Sequence, residues 1–180
     1  MKTLRTTLLS AAMLCLMALS ATAKTTPADD KAAIIADWER AKAYTLEYID
    51  AMSEEAFFKS PTEGIRTFAG QMLHLADGNA GIMGIATGKP GPFAGRVEKD
   101  ATLDTKAKVR ATVVTSYDAA IAALKEFDMS KSAEAAEASG MSFPRSEWIK
   151  KAFEHQTHHR GQCTIYLRMA GIAPPPEKLF

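Results

Sequence analysis

One stripe near the C-terminus constrains this chain more than any other feature. Trp148, Ala152, His155, His159, Gln162, Tyr166 and Met169 recur at 4-3-4-3-4-3 spacing, which places them on a single face of an α-helix. The pattern predicts a helix capped by Ser146 and running to Ala170, where Gly171 and Pro174-Pro175-Pro176 stop it. Such a helix is about 37 Å long at 1.5 Å per residue. Three members of a face that should be apolar are polar, and each needs a partner that apolar surroundings do not offer.

Three further helical patterns supply something to pack against. Thr26-Pro27-Ala28-Asp29 reads as a helix start, and Ile34, Trp38, Ala41, Thr45, Tyr48 and Met52 form one face after it. A second helix is predicted from near Thr67 to Thr87-Gly88, ahead of Lys89-Pro90-Gly91-Pro92. A third runs from Thr105 to about Phe127, with Val109, Val113, Tyr117, Ala120, Leu124 and Phe127 on one side. Residues 128–144 read mostly as loop, with room for a short helical turn in the Ala/Glu part. No period-2 strand pattern and no solenoid repeat is present. Four long amphipathic helices in a chain of 180 residues predict an all-α fold, a four-helix bundle.

The N-terminus reads as an address. Lys2 and Arg5 precede an apolar run of twelve residues, Leu8 to Leu19, followed by Ser20-Ala21-Thr22-Ala23. This is the pattern of a secretory signal peptide over 1–23, too short to span a membrane. Cleavage after Ala23 would leave one domain over 24–180, exported to the periplasm or the extracellular space, without a membrane anchor. The mature net charge would be (22 − 2) − 21 = −1, and Cys163 the single remaining cysteine. That excludes an intramolecular disulfide, and it gives no electrostatic case for nucleic acid.

His155 and His159 lie four residues apart, so both rings project from one side of the last helix, one turn apart. That spacing offers two imidazoles to one metal ion; the alternative is two hydrogen-bonded core histidines. His74 lies in the second helix among Gly70, Gly78, Gly81 and Gly84, residues that cost a helix stability and so suggest that room is needed, either for close helix approach or for a ligand. Packed on the last helix, it would supply a third nitrogen. Three imidazoles without a fourth protein ligand make an open site, whereas structural zinc is closed by four. His158 turns off this face. Zinc or nickel suits such a set, with iron or manganese also compatible.

Other metal motifs are absent. Gln156 stands where the zinc proteases carry a glutamate base, Glu154 is followed three residues on by Thr157 and not by histidine, and no Cys-x-x-Cys-His occurs.

The run His155-Gln156-Thr157-His158-His159-Arg160-Gly161-Gln162, with Tyr166-Leu167-Arg168, Gly171 and Pro174-Pro175 after it, resembles the DinB-like family, also described as YfiT-like metalloenzymes. The match extends to Phe68 and to His74-Leu75-Ala76-Asp77, and loosely to the whole mature chain. The resemblance implies a four-helix bundle, a divalent metal on His74, His155 and His159, and homodimers. Some relatives are transferases or isomerases that use low-molecular-weight thiols such as bacillithiol or mycothiol. An export signal sets this chain apart, because those thiols are scarce outside the cytoplasm.

Among supporting residues, Gln162 is placed to orient a metal-bound water or a histidine, or else to bond another helix. Asp77 is placed to accept an imidazole N–H, or to be a solvated acid. Arg160 is expected to cap or to pair with a surface carboxylate, Tyr166 to pack in the core, and Cys163 to be a buried small hydrophobe. Two functions fit: a metal-dependent hydrolase or thiol-dependent transferase acting on a small molecule, and a non-catalytic binding or stress-response module stabilised by its metal.

Overall fold

The computed structural model describes residues 27–179; the signal peptide expected over 1–23 lies outside them. Five helices follow in order: α1 (Pro27–Ala51), α2 (Glu54–Phe57), α3 (Phe68–Thr87), α4 (Lys106–Glu126) and α5 (Arg145–Met169). The four long ones form the bundle, in which α3 packs on both α5 and α4, and α1 closes the far side against α4 and α5. Among the described residues, no helix is long and apolar enough to cross a membrane.

For α3 and α4 the expected punctuation is where the sequence puts it. Thr67 caps α3 by accepting from the Gly70 N–H at 2.9 Å, and Gly88 ends it in the left-handed region at φ 73°. Thr105 caps α4, and its predicted face from Val109 to Phe127 is buried throughout. On α1, Trp38, Ala41, Thr45 and Tyr48 are buried together with Tyr44 and Ile49. Tyr117 and Phe153 meet Trp38 edge-on, at 5.9 and 5.7 Å between ring centroids. One-turn helix α2 has no counterpart in the sequence reading; it seats Phe57 in the core beside Phe68.

The stretch 128–144 departs from expectation. After a 3-10 turn at Met129–Lys131 it forms an antiparallel hairpin, β1 (Ala135–Ala138) with β2 (Met141–Pro144), paired from Ala135 with Pro144 to Ala138 with Met141. Ser139 and Gly140 make the two-residue loop, both at positive φ (51° and 76°), the geometry that matches the twist of paired strands. The hairpin also corrects the predicted start of α5. Ser146 lies inside the first turn and caps nothing; Pro144 precedes the helix, and the free N–H groups of Arg145 and Ser146 donate to the carbonyls of Glu134 and Ser132, both at 2.9 Å. Trp148 fixes the hairpin to the helix by donating from Nε1 to the Ala136 carbonyl at 2.9 Å.

Candidate metal centre

His74 on α3 and His155 and His159 on α5 converge. Each offers a ring nitrogen, and the three lie within 4.8 Å of one another. Ring centroids are 4.5 Å apart for His74–His159 and His155–His159, and 5.1 Å for His74–His155. His158 remains outside, exposed, in contact with Gln162 at 2.8 Å. Gln162 is thus occupied by the bystander and orients none of the three converging rings.

Two of the rings have their outer nitrogen tied. His159 Nδ1 meets Gln71 Oε1 at 2.8 Å, and the Gln71 amide donates from Nε2 to the Tyr166 hydroxyl at 3.2 Å. Tyr166 in turn donates to the Arg66 carbonyl at 2.8 Å, so this chain of bonds assigns which end of the amide faces the histidine. His74 Nδ1 meets Glu98 Oε2 at 2.9 Å. In both rings Nε2 is left for a ligand. His155 differs: its Nδ1 is buried without a hydrogen-bond partner, against Gly78. An alanine Cβ at position 78 would fall 2.1 Å from that nitrogen, so the glycine is what admits the ring.

Electrostatics keep the α5 pair neutral. Burial lowers His159 to about 3 and His155 to about 4, and the charges of neighbouring imidazoles push in the same direction. Neutral imidazole is the form that binds metals. Burial raises the Glu98 carboxyl, but hydrogen bonds from Arg66 and His74 and the Arg66 charge outweigh it and hold the group down at about 2. A convergent set of three imidazoles, with the α5 pair neutral and a glycine-made recess for one ring, fits a divalent ion. A pocket of about 480 Å³ opens beside His74 and His155, walled by Ile82, Phe93 and the glycines 78, 81, 91 and 95.

Several residues differ from their expected roles. Asp77 bonds no histidine: Oδ1 accepts from the Val97 N–H at 2.8 Å and Oδ2 from the Glu98 N–H at 3.1 Å. Glu98, absent from the sequence reading, takes the place beside His74. Arg160 is no surface residue but is 5% exposed. It donates to Gln156 Oε1 at 2.8 Å and lies over the Tyr44 ring at 4.7 Å, and Tyr117 donates to the same Gln156 oxygen. Here polar groups on α1, α4 and α5 satisfy one another inside the bundle. Cys163 is fully buried as expected, and burial pushes its thiol up. Tyr166 packs edge-on against Phe68 while serving Gln71.

Bundle, histidine triad and adjoining pocket define a class, that of helical proteins with three convergent imidazoles that could hold a metal ion. The particular family follows from comparison. The DinB family model matches residues 23–179, and the chain belongs to that family. Among solved structures, a DinB-like protein from Bacillus cereus ATCC 10987 superposes with a TM-score of 0.69 at 19% identity, over 81% of this chain and 95% of that one. A DinB-like protein from Bacillus subtilis gives 0.65 at 16% identity, over 81% and 96%. No curated protein matches the chain.

Proposed function

We propose that the chain is an exported DinB-family protein in which His74, His155 and His159 hold one divalent ion, zinc or nickel, facing a small-molecule pocket. The convergence of three imidazole nitrogens, two of the rings oriented from behind, carries this reading. A divalent ion on three imidazoles lowers the pKa of a water or thiol that reaches its open position. The pocket beside His74 and His155 would admit the small molecule, its glycines leaving the wall low and its apolar members excluding water. Hydrolysis and thiol-dependent transfer are the reaction classes that such a centre suits.

One observation favours the non-catalytic alternative. Both carboxylates near the triad are engaged, Asp77 with backbone N–H groups and Glu98 with His74 and two arginines, so neither is free as a general base.

Metal content of the mature protein, with His155→Ala and His159→Ala beside it, tests the reading by emission spectroscopy. One ion per chain in the wild type, lost in both variants, is expected; equal and negligible metal in all three overturns it. A screen of hydrolase and thiol-transferase substrates separates the two functions: metal-dependent turnover supports the enzyme. A blank screen, with a large fall in melting temperature on chelation, supports the module. Mass spectrometry of the secreted chain tests export, with Lys24 expected at its N-terminus. The family resemblance implies a second copy as partner, and sedimentation of the mature chain tests it.

A further inference from the structure

Glu98 sits in a 3-10 turn, Val97–Lys99, within the connection between α3 and α4, and owes nothing to helical spacing. Its side chain is nevertheless only 10% exposed, less than that of His74 (21%), and its Oε2 lies 2.9 Å from His74 Nδ1. Arg96 and Arg66 also approach that nitrogen, at 3.4 and 3.5 Å. Arginine can only donate, so the two arrangements are exclusive: Nδ1 either donates to Glu98 or accepts from an arginine. Distance and charge decide for Glu98. The carboxylate is the nearest acceptor, and both guanidinium groups make their shorter contacts to it, Arg66 Nε to Oε1 at 2.5 Å and Arg96 Nη2 to Oε2 at 2.7 Å.

What holds the carboxylate there is a second acid. Asp77 lies three residues after His74, on the same helix face, and its two oxygens take the N–H groups of Val97 and Glu98. Val97 is itself buried, at 8% exposure, so the turn is anchored from both sides. The helix that carries His74 therefore also clamps the loop that orients it.

The geometry points to Glu98 as a positioning residue of the metal centre, held in place by Asp77: it fixes the His74 ring in the Nδ1–H form and leaves Nε2 as the ligand nitrogen. This inference rests on the reading that the triad holds a metal. A carboxylate behind a ligand histidine orients the ring and raises its basicity, and losing such a partner typically lowers metal affinity by about 10–100-fold.

The test uses the full mature chain and zinc as probe, in competition with a chelating dye, for wild type, Glu98→Ala, Glu98→Gln, Asp77→Ala and the remote Glu55→Ala. Affinity should fall by about 10–100-fold in Glu98→Ala and Asp77→Ala, stay unchanged in Glu55→Ala, and be largely restored in Glu98→Gln. A glutamine oxygen can still accept from Nδ1, as Gln71 does for His159. The second readout needs no metal: long-range ¹H–¹⁵N spectra of the metal-free protein at one neutral pH should show His74 as the Nδ1–H form in wild type and Glu98→Gln, and a mixture in Glu98→Ala. A purely structural salt bridge would not move that tautomer. Unchanged tautomer in folded Glu98→Ala overturns the proposal, as does unchanged zinc affinity. If the wild type binds no zinc, the reading of the triad fails, and the tautomer alone still decides the role of Glu98.

Discussion

Replacing Gly78 by alanine should abolish metal binding at the proposed centre while sparing the fold. The added Cβ would stand 2.1 Å from Nδ1 and 2.2 Å from Cε1 of His155. Ordinary carbon contacts are roughly 3.5–4.0 Å, so the ring must withdraw by about 1.4 Å or more. Metal–nitrogen bonds tolerate about 0.2 Å, so a ring displaced that far is no longer a ligand. Losing a direct ligand should cost at least as much as losing an orienting partner, which puts the expected fall in affinity at about 10–100-fold or more.

The fold should bear the change because the strain has an outlet. His155 is only half-buried and forms part of the wall of the 480 Å³ pocket, so the ring can swing without moving α3 away from α5. Overpacking without an outlet costs about 1–3 kcal/mol, whereas alanine in a helix interior gains about 1 kcal/mol over glycine. With the ring displaced, apo stability should change by no more than about 1 kcal/mol. Zinc competition and urea denaturation of the metal-free protein separate the two effects. Gly81→Ala is the control: nothing lies within 4 Å of its Cβ, so affinity should hold and apo stability rise by about 1 kcal/mol. Gly78→Ala binding zinc as tightly as the wild type would refute the argument, since His155 would then not depend on that recess.

Two other outcomes follow from the same chemistry. His155 and His159 sit at about 4 and 3 in the metal-free fold, against about 6.5 when unfolded, so the unfolded chain takes up more protons as the pH falls below that value. Their contribution to stability is present above about pH 6.5 and lost as the pH falls through the folded values; apo melting temperature should decline over that range, and His155→Gln/His159→Gln should flatten the decline, with equal slopes counting against it. Cys163, buried with its thiol pushed up, should react with thiol reagents only as fast as the protein unfolds, and labelling of the native protein at the rate of a free thiol would contradict its burial.

The long helices were legible because burial on one side leaves a 3.6-residue trace, and because Thr67, Gly88 and Thr105 mark ends by local geometry. The trace blurs on α5. That helix packs against both α3 and α1, so its buried arc is wider than one stripe: Gln156, Arg160, Cys163 and Leu167 are enclosed as fully as His159, and Met169 at the end of the stripe is exposed. The hairpin was illegible for a different reason. Its strands are four residues each and largely solvent-facing, the first of them mostly alanine, so they are set by backbone pairing and by the Ser139-Gly140 turn, with no hydrophobic alternation to read.

For the site, the distinction lies between residues placed by a helix and residues placed by a loop. His155 and His159 were found because helical geometry alone puts them on one side, and no such rule leads from His74 to Glu98, which is 24 residues away in a turn. Yet α3 carries a second pattern that gives its glycine a meaning. Gln71, His74, Asp77 and Gly78 share one face at 3-3-1 spacing, and each meets a different part of the centre: His159, the ligand position itself, the turn that presents Glu98, and the ring of His155. A helical face so used cannot slip by one residue without losing all four contacts, a constraint on α3 that adds to its apolar packing. The register between α3 and α5 is therefore marked by contacts at the histidine cluster, Gln71 with His159 and Gly78 with His155, as well as by the core.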